Sequence, residues 1–444
     1  MSTAADADLL AAVEEACGTH LPSFHDLQSC RVEAAERPWR NVGQAEVSML
    51  SVTANMRSVA RDGSYLASRR SFRLVRKHGS VGRTVKGSTR VAADKLRSFA
   101  VEACFLRTIS PHLLISPHPH PVPSKRQPPQ PQPAAPVAWR LRHSDAERSF
   151  DMIMTDLTDK GFARREEALN FDDACAALDW LARLHGIMTN PIVTSAQIHL
   201  VSADGLWEQG TYWNLGKRNA VKQLTAGVME AHWRARRSLD GFTGIDVDDD
   251  FPTRLFAAAA PIDRALHPPQ PNAAEPKRRR TARHADVAPP APRLLRRVVV
   301  HGDFKAENLF FEPHVSGPNP RCAACDFQWA GLGVGACDVV YLLTTSLCDG
   351  LLAEREADLL QHYRRAVVRE MGVYAPTPAE FEHEYAIALL DFARFVLADG
   401  DLVDGDEWIC ARADALLGRL EAAAAASGET YDAVLAAAPG PFVG

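Results

Sequence analysis

The sequence lacks the features of a secreted or membrane protein. No apolar run approaches the roughly 20 residues that span a bilayer, and the N-terminal residues are acidic where a signal peptide needs basic ones. The nine cysteines show one CxxC pair, Cys322 and Cys325, without the second pair that zinc would need. The net charge of −5 gives no overall attraction for nucleic acid or an anionic membrane. A cytoplasmic protein with reduced thiols and no membrane partner is expected.

The 444 residues, of which 46% are apolar and 24% charged, suffice for two lobes and a large core. Two proline-rich stretches, residues 117–136 and 267–292, look like solvated insertions, because proline disfavours helices and central strands. The second insertion contains KRRR at residues 277–280. Such a cluster could act as a nuclear signal or a nucleic-acid patch, but it is more often solvated charge. Nucleic acid is therefore not expected as a partner.

The stretch VVVHGDFKAENLFF, residues 298–311, places a polar loop between two apolar runs. Each run predicts a short strand, so the loop side chains should be held at the rim of an apolar scaffold. Phosphoryl transfer needs a carboxylate for the proton of the attacking hydroxyl and oxygen ligands for magnesium. Asp303 suits the first task, and the amide oxygen of Asn308 suits the second.

A second magnesium ligand is expected further along the chain. Asp326 follows a small apolar run 18 residues after Asn308, which is far enough for a hairpin to return to the same site. Taken singly, each of these residues is an ordinary loop former. Their order, and their positions at strand ends, favour a phosphotransferase.

The segments HGDFKAEN and CDFQWAGLGVGACDVVYLL resemble the choline and aminoglycoside kinases, most closely their ecdysteroid-kinase-like branch. The resemblance covers residues 298–343 and continues more weakly over residues 66–190. It implies that Asp303 is the catalytic base and that Asn308 and Asp326 bind magnesium.

The same resemblance implies an α+β, bilobal protein-kinase-like fold. A small β-rich N-lobe is expected over residues 1–155 and a larger helical C-lobe over residues 156–444. FDMIMTDL followed by GF resembles the family hinge, which assigns Asp156 to the region that binds adenine. Asp338 matches an aspartate that braces the catalytic loop, and His185 matches a structural histidine.

Two other classes of protein share parts of this pattern. In a protein kinase, an arginine would often stand at Gly302 and a glycine at Gln328, and the 12 residues from Asp326 to Asp338 leave no room for an activation segment. Residues 331–336, GLGVGA, match a dinucleotide-binding pattern, but a single match is weak and the residues are expected to form a loop. A small-molecule kinase is preferred to both.

The N-terminal part predicts strands over residues 45–56 and 72–77 and an amphipathic helix over residues 94–109. A kinase needs a lysine for the nucleotide phosphates and a helix glutamate to hold it. Lys77 and Glu102 are the candidates. Arg76 remains an alternative, because a slip of one residue reverses the side-chain face. The loop that covers the nucleotide is expected near Gly43.

The sequence therefore predicts an enzyme that uses ATP and magnesium to phosphorylate a hydroxyl of a small molecule. Lys305, with the N-lobe lysine, is expected to offset charge on the phosphates. A catalytically weak pseudokinase or scaffold is the main alternative, and neither the acceptor nor the oligomeric state can be predicted.

Residues 397–408, LADGDLVDGDEW, form an acidic segment near the expected acceptor site. Carboxylates and an aromatic face could hold a cationic acceptor, which would involve Asp404 and Asp406. The competing interpretation, an acidic solvated turn, is preferred.

Overall fold

The computed structural model describes residues 10–17, 25–39, 45–59, 65–80, 89–115, 132–144, 146, 148–189, 205–215, 225–238, 247–267, 295–313, 320–399, 405–437 and 440–442. The predicted Gly43 loop, the KRRR cluster, residues 117–131 of the first proline-rich insertion and residues 268–292 of the second lie outside these residues. The prediction of a solvated insertion is wrong for the end of the first one, because Gln132–Pro133 form a short strand and Ala134 and Ala135 are buried. The chain forms two compact units. The first comprises Met1–Glu166, Asn190–Glu208 and Glu307–Ala330, and the second comprises Glu167–Thr189, Gln209–Ala306 and Gly331–Gly444.

The first unit is built on a five-stranded antiparallel sheet in the order β1-β2-β3-β7-β6. Its strands are β1 (His25–Trp39), β2 (Ala45–Val59), β3 (Tyr65–Ser80), β6 (Ala138–Ser144) and β7 (Ser149–Thr155). Two short antiparallel pairs accompany it: β4 (Leu114–Ile115) with β5 (Gln132–Pro133), and β9 (Leu309–Phe311) with β10 (Cys322–Ala324). The strands predicted from the apolar runs are confirmed, and β3 begins seven residues earlier than its pattern suggested.

Helices cover the two faces of this sheet. Helix α1 (residues 10–17) packs Val13 and Ala16 against Leu50 and Ile153. Helix α2 (Thr89–Thr108), predicted from its amphipathic spacing, packs on the opposite face, since Phe99 stacks on the β7 residue Phe150 with ring centroids 3.5 Å apart. Alternate residues of each strand therefore belong to different cores.

The second unit is mainly helical. Its helices are α3 (Phe171–Gly186), α4 (Ala226–Arg237), α5 (Phe251–Leu266), α6 (Gly335–Ser346), α7 (Asp349–Met371), α8 (Pro378–Asp399), α9 (Asp406–Ser427) and α10 (Tyr431–Ala436). Helix α3 begins at an N-cap, where the side chain of Asn170 accepts a hydrogen bond from the backbone N–H of Asp173. The predicted α+β class, with a β-rich part and a helical part, is confirmed. Within the described residues no helix is both long and apolar enough to cross a membrane.

One antiparallel pair in the second unit corrects a prediction. Strand β8 (Arg297–Val300) pairs with β11 (Gly331–Val334), so the first four residues of GLGVGA form a strand rather than a loop. Close packing accounts for two of its glycines. A Cβ on Gly333 would lie 3.1 Å from a methyl group of Val300, and one on Gly335 would lie 2.8 Å from Nδ1 of His185. These glycines permit contact between elements, and dinucleotide binding is not needed to explain them.

Candidate active site

The position of Lys77 follows from the register between β3 and β7. Lys77 lies opposite Met152, while Arg76 lies opposite Ile153. Because side chains alternate along a strand, Lys77 faces α2 and Glu102, whereas Arg76 faces the other side. Arg76 forms an ion pair with Asp151 there, with its Nε 2.8 Å from Oδ1. Lys77 is therefore the residue that lies beside Glu102, and its role with the phosphates stays a prediction.

Lys77 lies between two carboxylates in the first unit. Its Nζ donates to Oε2 of Glu102 at 2.8 Å and to Oδ1 of Asp326 at 3.2 Å. The Lys77 side chain is only 12% exposed, and that of Glu102 is 3% exposed. Burial opposes the positive charge, but the carboxylates of Asp326 and Glu102 outweigh it and raise the pKa of Lys77. Burial also raises the pKa of Glu102, against the effect of the Lys77 ammonium group. Lys77 therefore stays protonated.

Asp326 is presented by the hairpin of β9 and β10. The backbone N–H of Cys325 donates to the carbonyl oxygen of Asn308 at 3.0 Å, which extends the pairing of the two strands to the end that carries both predicted metal ligands. Asp326 has a left-handed backbone conformation, with φ of 65°, which aspartate tolerates better than most residues. The next residue, Phe327, stacks on Phe105 of α2 at 3.8 Å. The hairpin predicted between Asn308 and Asp326 is confirmed.

The two predicted ligands suit magnesium chemically. Magnesium is commonly bound through one or two protein carboxylates together with phosphate oxygens. The Asp326 side chain is 37% exposed, and Asn308 is largely buried. The described part of the chain contains no cluster of three or more His, Cys, Asp or Glu side chains that could hold a metal by themselves.

In the second unit, Asp338 holds the backbone of the predicted catalytic loop. Its two carboxylate oxygens accept hydrogen bonds from the N–H groups of His301 at 2.7 Å and Gly302 at 2.9 Å. Gly302 has φ of 81°, a conformation that favours glycine. Asp338 also contacts Nε2 of His185 at 3.2 Å, and Nδ1 of that histidine lies 2.6 Å from the hydroxyl of Tyr363. The predicted bracing role of Asp338 and structural role of His185 are confirmed.

Asp303 follows directly on this braced backbone and is half-buried. Its Oδ1 accepts a hydrogen bond of 2.8 Å from the hydroxyl of Tyr341, which sequence reasoning missed. The signal was available, because Tyr341 stands three residues after Asp338 on the same helix and such residues share a face.

The remaining predicted site residues are placed less distinctively. Asp156 is buried, and its Oδ1 accepts hydrogen bonds from the N–H and the hydroxyl of Thr158, while its Oδ2 lies 3.1 Å from Nε of Arg73. These contacts stabilise the turn after β7, and a role in binding adenine stays a prediction. Lys305 is half-buried in the catalytic loop, and its role with phosphates also stays a prediction.

Asp406 fits neither interpretation of the acidic segment. It is buried, and its Oδ2 accepts from Nε of the buried Arg236 at 2.9 Å. Arg236 also donates to the carbonyl oxygen of Val396. Asp406 is therefore a structural partner of Arg236 and is neither solvated nor available to an acceptor. Asp404 lies outside the described residues.

The model of the ecdysteroid kinase-like family matches residues 271–373, which include HGDFKAEN, the DFQ segment and Asp338. The resemblance recognised from the sequence is thereby confirmed. No curated protein matches the chain.

Among solved structures, a microcompartment-associated aminopropanol kinase is 13% identical, with 97% of this chain and 99% of that chain covered and a TM-score of 0.40. Choline kinase LicA from Streptococcus pneumoniae is 10% identical, with coverages of 93% and 99% and a TM-score of 0.37. The GDP complex of wild-type aminoglycoside 2'-phosphotransferase-IIIa is 11% identical, with coverages of 92% and 98% and a TM-score of 0.34.

Proposed function

We propose that the protein is an ATP-dependent phosphotransferase that acts on a hydroxyl group of a small molecule. The observation that carries the proposal is the largely buried Lys77 between Glu102 and Asp326, two carboxylates that are 224 residues apart in the sequence. A lysine held by a helix glutamate beside a magnesium-binding aspartate is the arrangement that kinases use for nucleotide phosphates.

In this proposal, the first unit binds the nucleotide. Lys77 would contact the phosphates, and Glu102 holds its ammonium group in place. Asn308 and Asp326 are the protein ligands for magnesium, which, when bound, offsets negative charge on the phosphate oxygens. Glu102 is buried and Asp326 is partly exposed. Asp326 is therefore the partner of Lys77 that would bind the metal.

The second unit supplies the group that acts on the acceptor. Asp303 orients the acceptor hydroxyl and accepts its proton as the oxygen attacks the γ-phosphorus of ATP and ADP leaves with the bridging oxygen. Asp338 fixes the backbone immediately before Asp303.

Nucleotide binding is tested by thermal unfolding with ATP and magnesium. Ligand at 100 times its dissociation constant should add about 2.7 kcal/mol to the free energy of unfolding. Asp326→Asn should lose most of the magnesium-dependent part. Asp249→Asn, at a side chain that is 91% exposed, is the matched control and should respond like wild type. No shift with a folded wild-type sample would favour a non-catalytic scaffold.

Turnover is tested by incubating the protein, ATP and magnesium with pooled small alcohols and detecting phosphorylated products by mass spectrometry. With an acceptor in hand, Asp303→Ala should lower kcat by about 100- to 10,000-fold while the ATP-dependent thermal shift persists. Wild-type turnover in Asp303→Ala would contradict the assignment of the base. Nucleotide binding without any product would favour a pseudokinase.

A further inference from the structure

A single turn of α6 contacts the catalytic loop in two ways. Asp338 accepts hydrogen bonds from the backbone of His301 and Gly302, and Tyr341, three residues later, donates to the side chain of Asp303. Residues three apart on a helix lie on the same face. The helix therefore fixes both the backbone that precedes Asp303 and the carboxylate itself.

The direction of the hydrogen bonds around Tyr341 can be deduced. A phenol has one proton, and that of Tyr341 is donated to Oδ1 of Asp303 at 2.8 Å. The hydroxyl of Tyr212 lies 3.1 Å from that of Tyr341, so Tyr212 must be the donor in this second bond. The resulting chain runs from Tyr212 to Tyr341 to Asp303, and each bond strengthens the next.

The ring of Tyr341 is held rigidly. It is buried and stacks on Trp213 with centroids 4.7 Å apart and planes 12° apart, while Phe392 meets it edge-on at 5.2 Å. The carbonyl oxygen of Trp213 accepts a 2.9 Å hydrogen bond from Arg394, which forms a buried ion pair with Asp391. Because these neighbours confine the ring, its hydroxyl points to Asp303 in a fixed direction.

The same surroundings keep Tyr341 protonated. Burial raises the pKa of Tyr341 well above its ordinary value, and the negative charge of Asp303 and the contact with Tyr212 raise it further. The phenol is consequently a permanent hydrogen-bond donor at neutral pH and cannot compete with Asp303 as a base.

We propose that Tyr341 is a positioning residue for the phosphotransferase reaction, which holds Oδ1 of Asp303 and so fixes the orientation of the carboxylate toward the acceptor hydroxyl. Tyr212 supports it through the second hydrogen bond. The inference rests on the proposed function, because it assigns a role in orienting the base of that reaction. No proton is transferred through the two tyrosines, which remain neutral donors throughout.

The kinetic test compares three single-hydroxyl deletions. Tyr341→Phe should lower kcat by about 10- to 100-fold, since small misplacements of a reacting group can cost that much, with the KM for ATP unchanged. Tyr212→Phe should lower kcat less, by about 2- to 10-fold. Tyr385→Phe removes another buried phenol of the second unit and should leave both parameters unchanged. Wild-type kcat in Tyr341→Phe, or an equal loss in Tyr385→Phe, would overturn the positioning role.

A second measurement does not depend on activity. Fluorotyrosine incorporated into the protein gives a ¹⁹F resonance for Tyr341, which is assigned by its absence in Tyr341→Phe. In Asp303→Asn, the pKa of Tyr341 should fall, because the carboxylate charge that raises it is gone. An unchanged titration would overturn the contact. Failure of wild type to phosphorylate any acceptor would overturn the proposed function and this role together, whereas intact turnover with normal Tyr341→Phe kinetics would overturn this role alone.

Discussion

Replacing Asp338 by alanine should be among the most damaging substitutions in the second unit. The carboxylate is fully buried and accepts hydrogen bonds from the backbone N–H groups of His301 and Gly302, which are also buried. Leaving a buried donor without a partner costs about 1–3 kcal/mol. Two such donors give an expected loss of about 2–6 kcal/mol in the free energy of unfolding, with the contact to His185 lost in addition.

Asparagine at position 338 allows a finer test. Its single carbonyl oxygen can replace one carboxylate oxygen, but its amide NH₂ would then face the other backbone N–H, and two donors cannot pair. Asp338→Asn should therefore cost about 1–3 kcal/mol, roughly half the loss in alanine. A purely steric role for Asp338 predicts almost no loss in asparagine, because the two side chains have nearly the same volume.

Urea unfolding followed by tryptophan fluorescence measures these losses, and hydrogen exchange at the amides of His301 and Gly302 locates them. Asp358→Ala is the matched control, since Asp358 is 57% exposed and pairs with Arg355 on the surface, which is worth at most about 1 kcal/mol. If Asp338→Ala costs no more than this control, or if both amides keep their protection, the assigned bracing role is wrong.

Three further predictions follow from the described contacts. Lys77→Met should abolish stabilisation by ATP and magnesium in thermal unfolding, whereas Arg76→Met, on the opposite face of β3, should preserve it. Asp263→Asn should raise the free energy of unfolding at pH 7, because burial, helped by the charge of Asp391, raises the pKa of Asp263 to about 6 and so penalises its charged form. The gain should disappear as the pH falls from about 6 to below the ordinary pKa of 3.8. Urea unfolding at pH 7 and at a pH below 3.8 measures the difference. Asp406→Ala should cost about 3–5 kcal/mol in urea unfolding, because it removes the carboxylate that balances the charge of the buried Arg236, and should not change the KM of a cationic acceptor.

Local patterns in the sequence predicted the elements that carry the site. The apolar runs on either side of HGDFKAEN form β8 and β9, and the spacing from Asn308 to Asp326 is that of the β9–β10 hairpin. These features depend on neighbouring residues and on a strand period of two. The choice between Lys77 and Arg76 was harder to predict, because a strand pattern does not say which face of the strand packs against α2. That choice depends on the pairing of Lys77 with Met152 across two strands.

Other contacts between distant segments could not be predicted from the sequence. Asp406 looked like part of an acidic surface turn, yet its partner Arg236 lies 170 residues away. The composition of a segment does not predict which charged residue from another part of the chain will pair with it in the core. A carboxylate near a turn is usually solvated, so the buried pair could be found only from the folded chain.

The segment GLGVGACDVVY shows how one stretch can serve several structural demands at once. Gly333 and Gly335 allow close contact with Val300 and His185, and the helix that starts at Gly335 carries Asp338 and Tyr341 to the catalytic loop. A larger residue at either glycine would push β11 or the start of α6 away from its neighbour. Since Asp338 and Tyr341 lie on the first two turns of that helix, such a shift would weaken both hydrogen-bonded contacts with the loop. Gly333 and Gly335 therefore affect the orientation of Asp303 indirectly, through the position of α6.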